Sequence, residues 1–106
     1  MSTALGEKLQ KLRKEKGLTL DQLAERTGSS KSYIWELENK KPPRPSADKL
    51  SKIATELGVT MEYLLDQEQR VTEADATDEM FFRKYQQMDA DVKKKIRKMV
   101  ELWDEE

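Results

Sequence analysis

The feature that most constrains this chain is a pair of short helix-forming segments joined by a tight turn in residues 20–39. Thr19 can cap the first segment, and Gln22 can return a hydrogen bond to the cap from three residues further on. Gly28 can adopt a positive φ, which turns the chain sharply before a serine caps the second segment. The residues that repeat at helical spacing are predicted to face one shared core: Leu20, Leu23, Ala24, Thr27, Ile34 and Leu37.

Three further helices are predicted around this pair. The first is indicated by leucines spaced by four and three residues, which form one helix face: Leu5, Leu9 and Leu12. The three prolines in residues 42–45 exclude a helix there, because proline removes a backbone donor and restricts its neighbours. Ser46 and Thr60 can cap a fourth and a fifth helix. The pattern therefore predicts an all-α domain of five short helices over residues 1–66.

The composition limits the chemistry that this chain can perform. It contains no cysteine and no histidine, which removes thiol and imidazole nucleophiles, the usual zinc ligands and any disulfide. The carboxylates lie on solvated helix faces without the spacing of metal ligands, and no apolar run approaches the length of a membrane span. We therefore expect a cytoplasmic protein that is not an enzyme, binds no metal or cofactor and does not enter a membrane.

The C-terminal part of the chain has a different pattern. Residues 67–76 are polar and lack periodicity, which indicates a linker. Residues 77–106 predict two helices, the first capped by Thr77 or Asp78 and the second by Asp89. Their apolar side chains form a stripe that we predict to be a dimerisation surface: Phe81, Tyr85, Val92, Ile96, Met99 and Trp103.

An apolar stripe of this size must be covered, and three coverings are open. It can fold back on the five-helix domain, pair with the same stripe of a second copy, or dock a different protein. The docking surface for a different protein would comprise Phe81, Phe82, Tyr85 and Trp103. Pairing of two copies is favoured, because the leucine-rich first domain already closes its own core.

Three stretches of the sequence together resemble a known family. They are LTLDQLAERTG, then IWELENKK followed closely by RP, and finally LSKIATELGVTMEYLL. The chain resembles the helix-turn-helix regulators of the XRE family, which include the lambdoid phage repressors and Cro, over about residues 5–65. The resemblance implies a five-helix, lambda-repressor-like fold that binds double-stranded DNA.

The resemblance also implies which side chains read DNA bases. In the family, the helix after the turn lies in the major groove, and its first, second and sixth residues commonly contact base edges. Those positions are Lys31, Ser32 and Glu36. Lysine can donate to guanine, glutamate can accept from cytosine, and serine can do either. Tyr33 and Trp35 are predicted as further base contacts, although aromatic residues at helical spacing also pack in cores; for Trp35 exposure is favoured.

Phosphate contacts in the family come from the start of the second helix and from the loop after the reading helix. The corresponding residues are Thr19, Asn39, Lys40, Lys41 and Arg44. The alternative interpretation is a solvated basic loop. Many family members carry glutamine at the first position of the second helix; this chain departs from the family there, because Leu20 has no side-chain donor for a phosphate.

The resemblance further implies a structural ion pair between Arg13 and Glu38. In the family, a glutamate at the end of the reading helix commonly forms a buried pair with an arginine of the first helix. Removing one partner of a buried pair leaves an uncompensated charge, which costs about 3 to 5 kcal/mol.

These features lead to one favoured function and one alternative. The favoured function is a sequence-specific, dimeric transcriptional regulator, with a repressor on a palindromic operator as the favoured form. The alternative is an antitoxin or adaptor whose C-terminal helices bind a partner protein and which regulates its own gene. The expected partners are double-stranded DNA and a second copy of the chain, with a protein partner in the alternative.

Overall fold

Seven α-helices form the regular structure in the computed structural model, which describes residues 3–40 and 45–104 of the chain. The predicted all-α fold is confirmed, since those residues contain no strand. The helices are α1 (Ala4–Glu15), α2 (Leu20–Thr27), α3 (Lys31–Asn39), α4 (Ala47–Leu57), α5 (Met61–Leu65), α6 (Glu73–Gln87) and α7 (Ala90–Asp104).

The helix starts follow the capping residues that the sequence contains. The backbone N–H of Gln22 donates to Thr19 Oγ1 over 3.1 Å, and Thr19 N donates to Gln22 Oε1 over 2.9 Å, which completes the capping box. Gly28 takes φ +67°, and Ser30 then caps α3. The other predicted caps also accept amides from the helices that they start: Ser46, Thr60 and Asp89.

Helices α1 to α5 enclose one hydrophobic core. Its residues come from every one of these helices, and most are less than 3% exposed. Each leucine, isoleucine or valine side chain among them contributes roughly 1.5 to 3 kcal/mol on removal from water. The largest fully buried side chains of the core are Leu9, Leu23, Ile34, Leu37, Leu50, Ile53, Leu57, Val59 and Leu64.

The start of α6 corrects one prediction. The helix begins at Glu73 with Thr72 as its cap, and the predicted caps Thr77 and Asp78 lie inside it. Thr72 Oγ1 accepts the backbone N–H of Asp75 over 3.0 Å, and the acidic first turn suits the positive end of the helix. The periodicity of the apolar residues did not reveal this turn, because most of its surface is polar.

The C-terminal helices extend beyond the five-helix core. The dimensions of the molecule are 49 × 29 × 23 Å. Helix α7 has no buried residue, and Trp103 near its end is 80% exposed. The alternative in which the apolar stripe folds back on the five-helix domain is therefore wrong for the described residues. Within residues 3–40 and 45–104, no helix has the length and apolar character needed to cross a membrane.

Candidate nucleic-acid interface

Helix α3 buries one face and exposes the other. Ile34 and Leu37 are 0% exposed and attach the helix to the core. The three side chains predicted to read bases are all exposed: Lys31, Ser32 and Glu36. The fold therefore brings these donors and acceptors to one surface, and their contact with DNA bases stays a prediction.

The two aromatic residues of α3 have different environments. Trp35 is 44% exposed, and Lys40 Nζ lies 5.5 Å from the centroid of its ring. Tyr33 is half-buried and packs against the core, with Lys49 Nζ 4.6 Å from its ring centroid. Its hydroxyl is buried without a hydrogen-bond partner among the described residues. Trp35 is thus available at the surface, whereas Tyr33 belongs to the rim of the core.

Lys31 is paired loosely at the start of α3. Its Nζ lies 3.9 Å from Asp21 Oδ2 of α2, and both side chains are more than half exposed. Exposed pairs of this kind contribute at most about 1 kcal/mol. Lys31 can therefore exchange this carboxylate for an acceptor on DNA at little cost.

The candidate phosphate contacts lie at the ends of α2 and α3. Thr19 is exposed and accepts a hydrogen bond in the capping box, which leaves its hydroxyl hydrogen available to donate. Asn39 Nδ2 donates to the carbonyl of Trp35 over 3.0 Å, so this amide presently closes the last turn of α3. Lys40 is exposed. Lys41 and Arg44 lie outside the described residues.

Arg13 and Glu38 meet beneath this surface. Arg13 Nε donates to Glu38 Oε2 over 2.7 Å, and a second guanidinium nitrogen donates to Glu38 Oε1 over 3.0 Å. The remaining nitrogen donates to the carbonyl of Leu18 over 2.8 Å. The arginine is 8% exposed and the glutamate 2%. Arg13 thus connects α1 to the end of α3 through its bidentate pair with Glu38, and to the segment before α2 through Leu18.

Gly6 is a further positioning residue that the sequence analysis missed. A Cβ added there would lie 2.5 Å from the carbonyl oxygen of Glu38 and 2.7 Å from that of Leu37. Helix α1 therefore approaches the backbone of α3 at this point more closely than any side chain permits. The available signal was a glycine inside a helical pattern, which usually has a packing reason.

A second candidate site is the C-terminal groove, an open apolar groove between α6 and α7. It comprises two adjoining cavities of about 430 and 410 Å³. Arg97 donates to the hydroxyl of Tyr85 over 2.7 Å and thereby links the two helices. Most members of the predicted stripe are exposed, while Tyr85 and Ile96 are half-buried. The apolar and aromatic residues that line the groove are Phe81, Phe82, Tyr85, Ile96, Met99, Val100 and Trp103.

No group of acidic side chains that could hold a metal ion occurs in residues 3–40 and 45–104.

Comparison with known proteins identifies the family. A family model described as "Helix-turn-helix domain" matches residues 6–70, which is more than half of the chain. The chain belongs to this helix-turn-helix family. The resemblance to XRE-type regulators is thereby confirmed. The HTH-type transcriptional regulator SinR of Bacillus subtilis is 39% identical over 71 residues, covering 67% of this chain and 63% of SinR. The chain thus matches less than two thirds of the length of that relative.

Two solved structures extend the comparison. The crystal structure of SinR in complex with DNA is 39% identical, with a TM-score of 0.55, and covers 58% of this chain and 98% of that chain. A structure of a SinR and SinI complex has a TM-score of 0.58 and covers 96% of this chain and 99% of that chain. Its identity is 24%, so this second likeness concerns the fold alone.

Proposed function

We propose that this protein is a DNA-binding transcriptional regulator that reads its site with α3. The exposed polar face of α3, on a helix-turn-helix domain, is the observation that carries this proposal. Support comes from SinR, which is described as a transcriptional regulator and has been crystallised with DNA. The absence of cysteine and histidine from the sequence leaves few routes to enzymatic chemistry in the chain.

In the proposed complex, α3 lies in the major groove and its exposed side chains face the base edges. Lys31 leaves Asp21 and donates to guanine O6 or N7, while Glu36 accepts from cytosine N4. Ser32 donates or accepts at a neighbouring base, and Trp35 packs against a thymine methyl group or a sugar. The buried residues on the opposite face of α3 fix the helix against the core. Its hydrogen-bonding groups are therefore already in position before DNA binds.

A second set of residues is proposed to bind DNA of any sequence through its phosphates. The proposed phosphate contacts position the protein on the duplex and carry no sequence information themselves: Thr19, Asn39, Lys40, Lys41 and Arg44. Each lysine or arginine that neutralises a phosphate releases a counterion from the DNA. Binding should therefore weaken steeply as the salt concentration rises.

The C-terminal groove is proposed to pair with the groove of a second copy. Phe81, Met99 and Trp103 are 56%, 60% and 80% exposed, which is unfavourable for an isolated chain. Two-fold pairing buries these side chains and provides two α3 helices about 34 Å apart, which matches successive major grooves on one side of the duplex. The dimer would read a palindromic operator and repress transcription by occluding a promoter.

Selection of bound sequences from a random duplex pool tests this proposal. We expect a palindrome to emerge and to bind more tightly than random duplex by about a thousandfold or more. Replacing Lys31, Ser32 or Glu36 with alanine should reduce discrimination at the base pair that each contacts, by about 10- to 100-fold. Competition titrations with single-base variants of the selected site would measure these changes.

Lys40→Ala provides the control for that experiment. This variant should weaken binding to every sequence equally and reduce the dependence of affinity on salt. Equal binding of the wild-type protein to all duplexes would rule out sequence-specific regulation. Unchanged base preferences in all three α3 variants would rule out α3 as the reader.

Sedimentation analysis tests the proposed dimer. Met99→Asp places a carboxylate in the C-terminal groove, and we expect it to convert the wild-type dimer to a monomer, because burial of an unpaired charge is strongly unfavourable. Leu102→Asp is the matched control, since Leu102 is 64% exposed on α7 but does not line the groove. A monomeric wild-type protein, or equal effects of both substitutions, would contradict pairing through this groove.

The second candidate function is that of an adaptor or antitoxin, and the exposed aromatic side chains of the groove support it. Phe82 is 52% exposed beside Phe81, so the groove offers aromatic anchors that a helix of another protein can cover. In that case the wild-type chain would sediment as a monomer at every concentration and would bind isolated half-sites as well as palindromes.

A further inference from the structure

Ala76 connects α6 to the core of the helix-turn-helix domain. It is 1% exposed and belongs to the same buried cluster as the side chains of α1 to α5. It is the one buried residue of α6, and both of its chain neighbours, Asp75 and Thr77, are exposed. Helix α6 therefore enters the core at its first turns, and none of its residues after Ala76 is buried.

The segment between α5 and α6 is held by hydrogen bonds from both sides. Asp66 Oδ2 accepts the backbone N–H of Val71 over 2.7 Å, which closes the turn. Gln69 within it has φ +54°, a left-handed conformation that is unfavourable for a residue with a side chain. Lys8 Nζ of α1 donates to the carbonyls of Tyr63 and Asp66 over 2.8 and 2.7 Å. These hydrogen bonds fasten the turn to α1 and close it on itself.

Two ion pairs attach α6 to different helices. Lys11 of α1 lies 3.3 Å from Glu73, and this hydrogen bond raises the pKa of Lys11. Arg83 lies 3.7 Å from Glu62 of α5. Each exposed pair is weak by itself. Their attachment points on α6 are ten residues apart, or about 15 Å along the helix axis, so together they oppose rotation of α6.

We infer that residues 66–76 form a rigid joint that sets the direction of α6 relative to α3, with Ala76 as its main positioning residue. The inference rests on the proposed function for its consequence, which is a fixed spacing between the two half-sites. In a dimer paired through the C-terminal groove, a rigid joint holds the two α3 helices at one separation. A flexible linker would let them follow half-sites at several separations.

Operators with altered half-site spacing test the joint with the full chain. The two halves of the selected palindrome are moved apart or together in single base-pair steps, each of which also rotates one half-site around the duplex axis. For the wild-type protein we expect affinity to fall about tenfold or more at the first step, because one of the two α3 helices then no longer reaches its half-site. Ala76→Arg should flatten this dependence, because a guanidinium cannot remain in the core.

Ala74→Arg is the matched control, since Ala74 is exposed on the same turn of α6 and should leave the spacing preference unchanged. A second variant inserts two glycines between Arg70 and Val71, which loosens the joint without changing a core residue. Equal wild-type affinity across the spacings, or a wild-type spacing preference in both loosened variants, would overturn the inference.

Backbone ¹⁵N relaxation separates this inference from the proposed function. For the wild-type protein we expect one common rotational correlation time for amides of α1–α5 and α6–α7, and different times for the two groups in the glycine-insertion variant. Different times already in the wild-type protein would overturn the joint whatever the DNA results. If no duplex is bound specifically while the common time is observed, the proposed function fails and the joint stands.

Discussion

Replacing Glu38 with glutamine is expected to lower the free energy of unfolding by about 3 to 5 kcal/mol. Glu38 and Arg13 form a bidentate pair that is almost fully buried, with N–O distances of 2.7 and 3.0 Å. The neutral amide leaves the guanidinium charge buried without compensation. Because the pair also connects α1 to the end of α3, operator binding should weaken along with stability. Urea unfolding followed by circular dichroism measures the change.

An exposed ion pair provides the control for this prediction. Asp48 and Lys52 lie 3.3 Å apart on α4 and are both more than half exposed, so Asp48→Asn should cost less than about 1 kcal/mol. Replacing Arg13 and Glu38 together by methionine should recover much of the stability lost in the single variant, because no buried charge then remains. Equal effects of Glu38→Gln and Asp48→Asn would show that the buried pair has no special role.

Replacing Gly6 with alanine is expected to destabilise the protein by about 3 kcal/mol, the upper end of the usual range for overpacked cores. The added methyl group would lie 2.5 and 2.7 Å from two backbone oxygens of α3, which cannot rotate away as a side chain can. By helix propensity, alanine is more favourable than glycine by about 1 kcal/mol, so a loss of stability must come from this contact. Thermal unfolding measures it.

The same substitution should weaken specific DNA binding even at temperatures where the variant is folded, because α3 must move to admit the methyl group. Gly17→Ala is the control. Gly17 has φ +69° and no atom within 4 Å of an added Cβ, so its replacement should cost about 1 to 2 kcal/mol of backbone strain without changing operator affinity. A stable, fully active Gly6→Ala protein would contradict the close approach of α1 and α3.

The helix-turn-helix core could be predicted well because its signals are local. Thr19 and Gln22 lie three residues apart in the sequence, so their reciprocal hydrogen bonds follow from a single helix turn. The spacing of Ile34 and Leu37 likewise identifies the buried face of α3, and the exposure of Lys31 and Glu36 follows from it. Family resemblance then assigned roles to those exposed positions, and their contacts with DNA are a prediction.

The start of α6 and the environment of Tyr33 could not be predicted in this way. Ala76 is small and isolated among polar residues, so no periodic pattern distinguishes its burial from that of the exposed Ala74. Tyr33 lies between the two faces of α3, and its position depends on α4, which places Lys49 over its ring. In both cases the deciding contact involves a residue distant in the sequence.

By itself the sequence determined the helices, the caps of α2 to α5 and of α7, the faces that α1 to α3 bury and the family to which the chain belongs. Backbone hydrogen bonds and helical periodicity act within a few residues, so these features can be recognised from spacing alone. Only the tertiary structure decided three other features. The absence of a side chain at Gly6 lets the backbone of α3 approach α1, Ala76 packs α6 against the core, and the C-terminal groove is left uncovered. Those features depend on where separate helices meet, and packing in three dimensions selects that geometry from many that the same pattern allows.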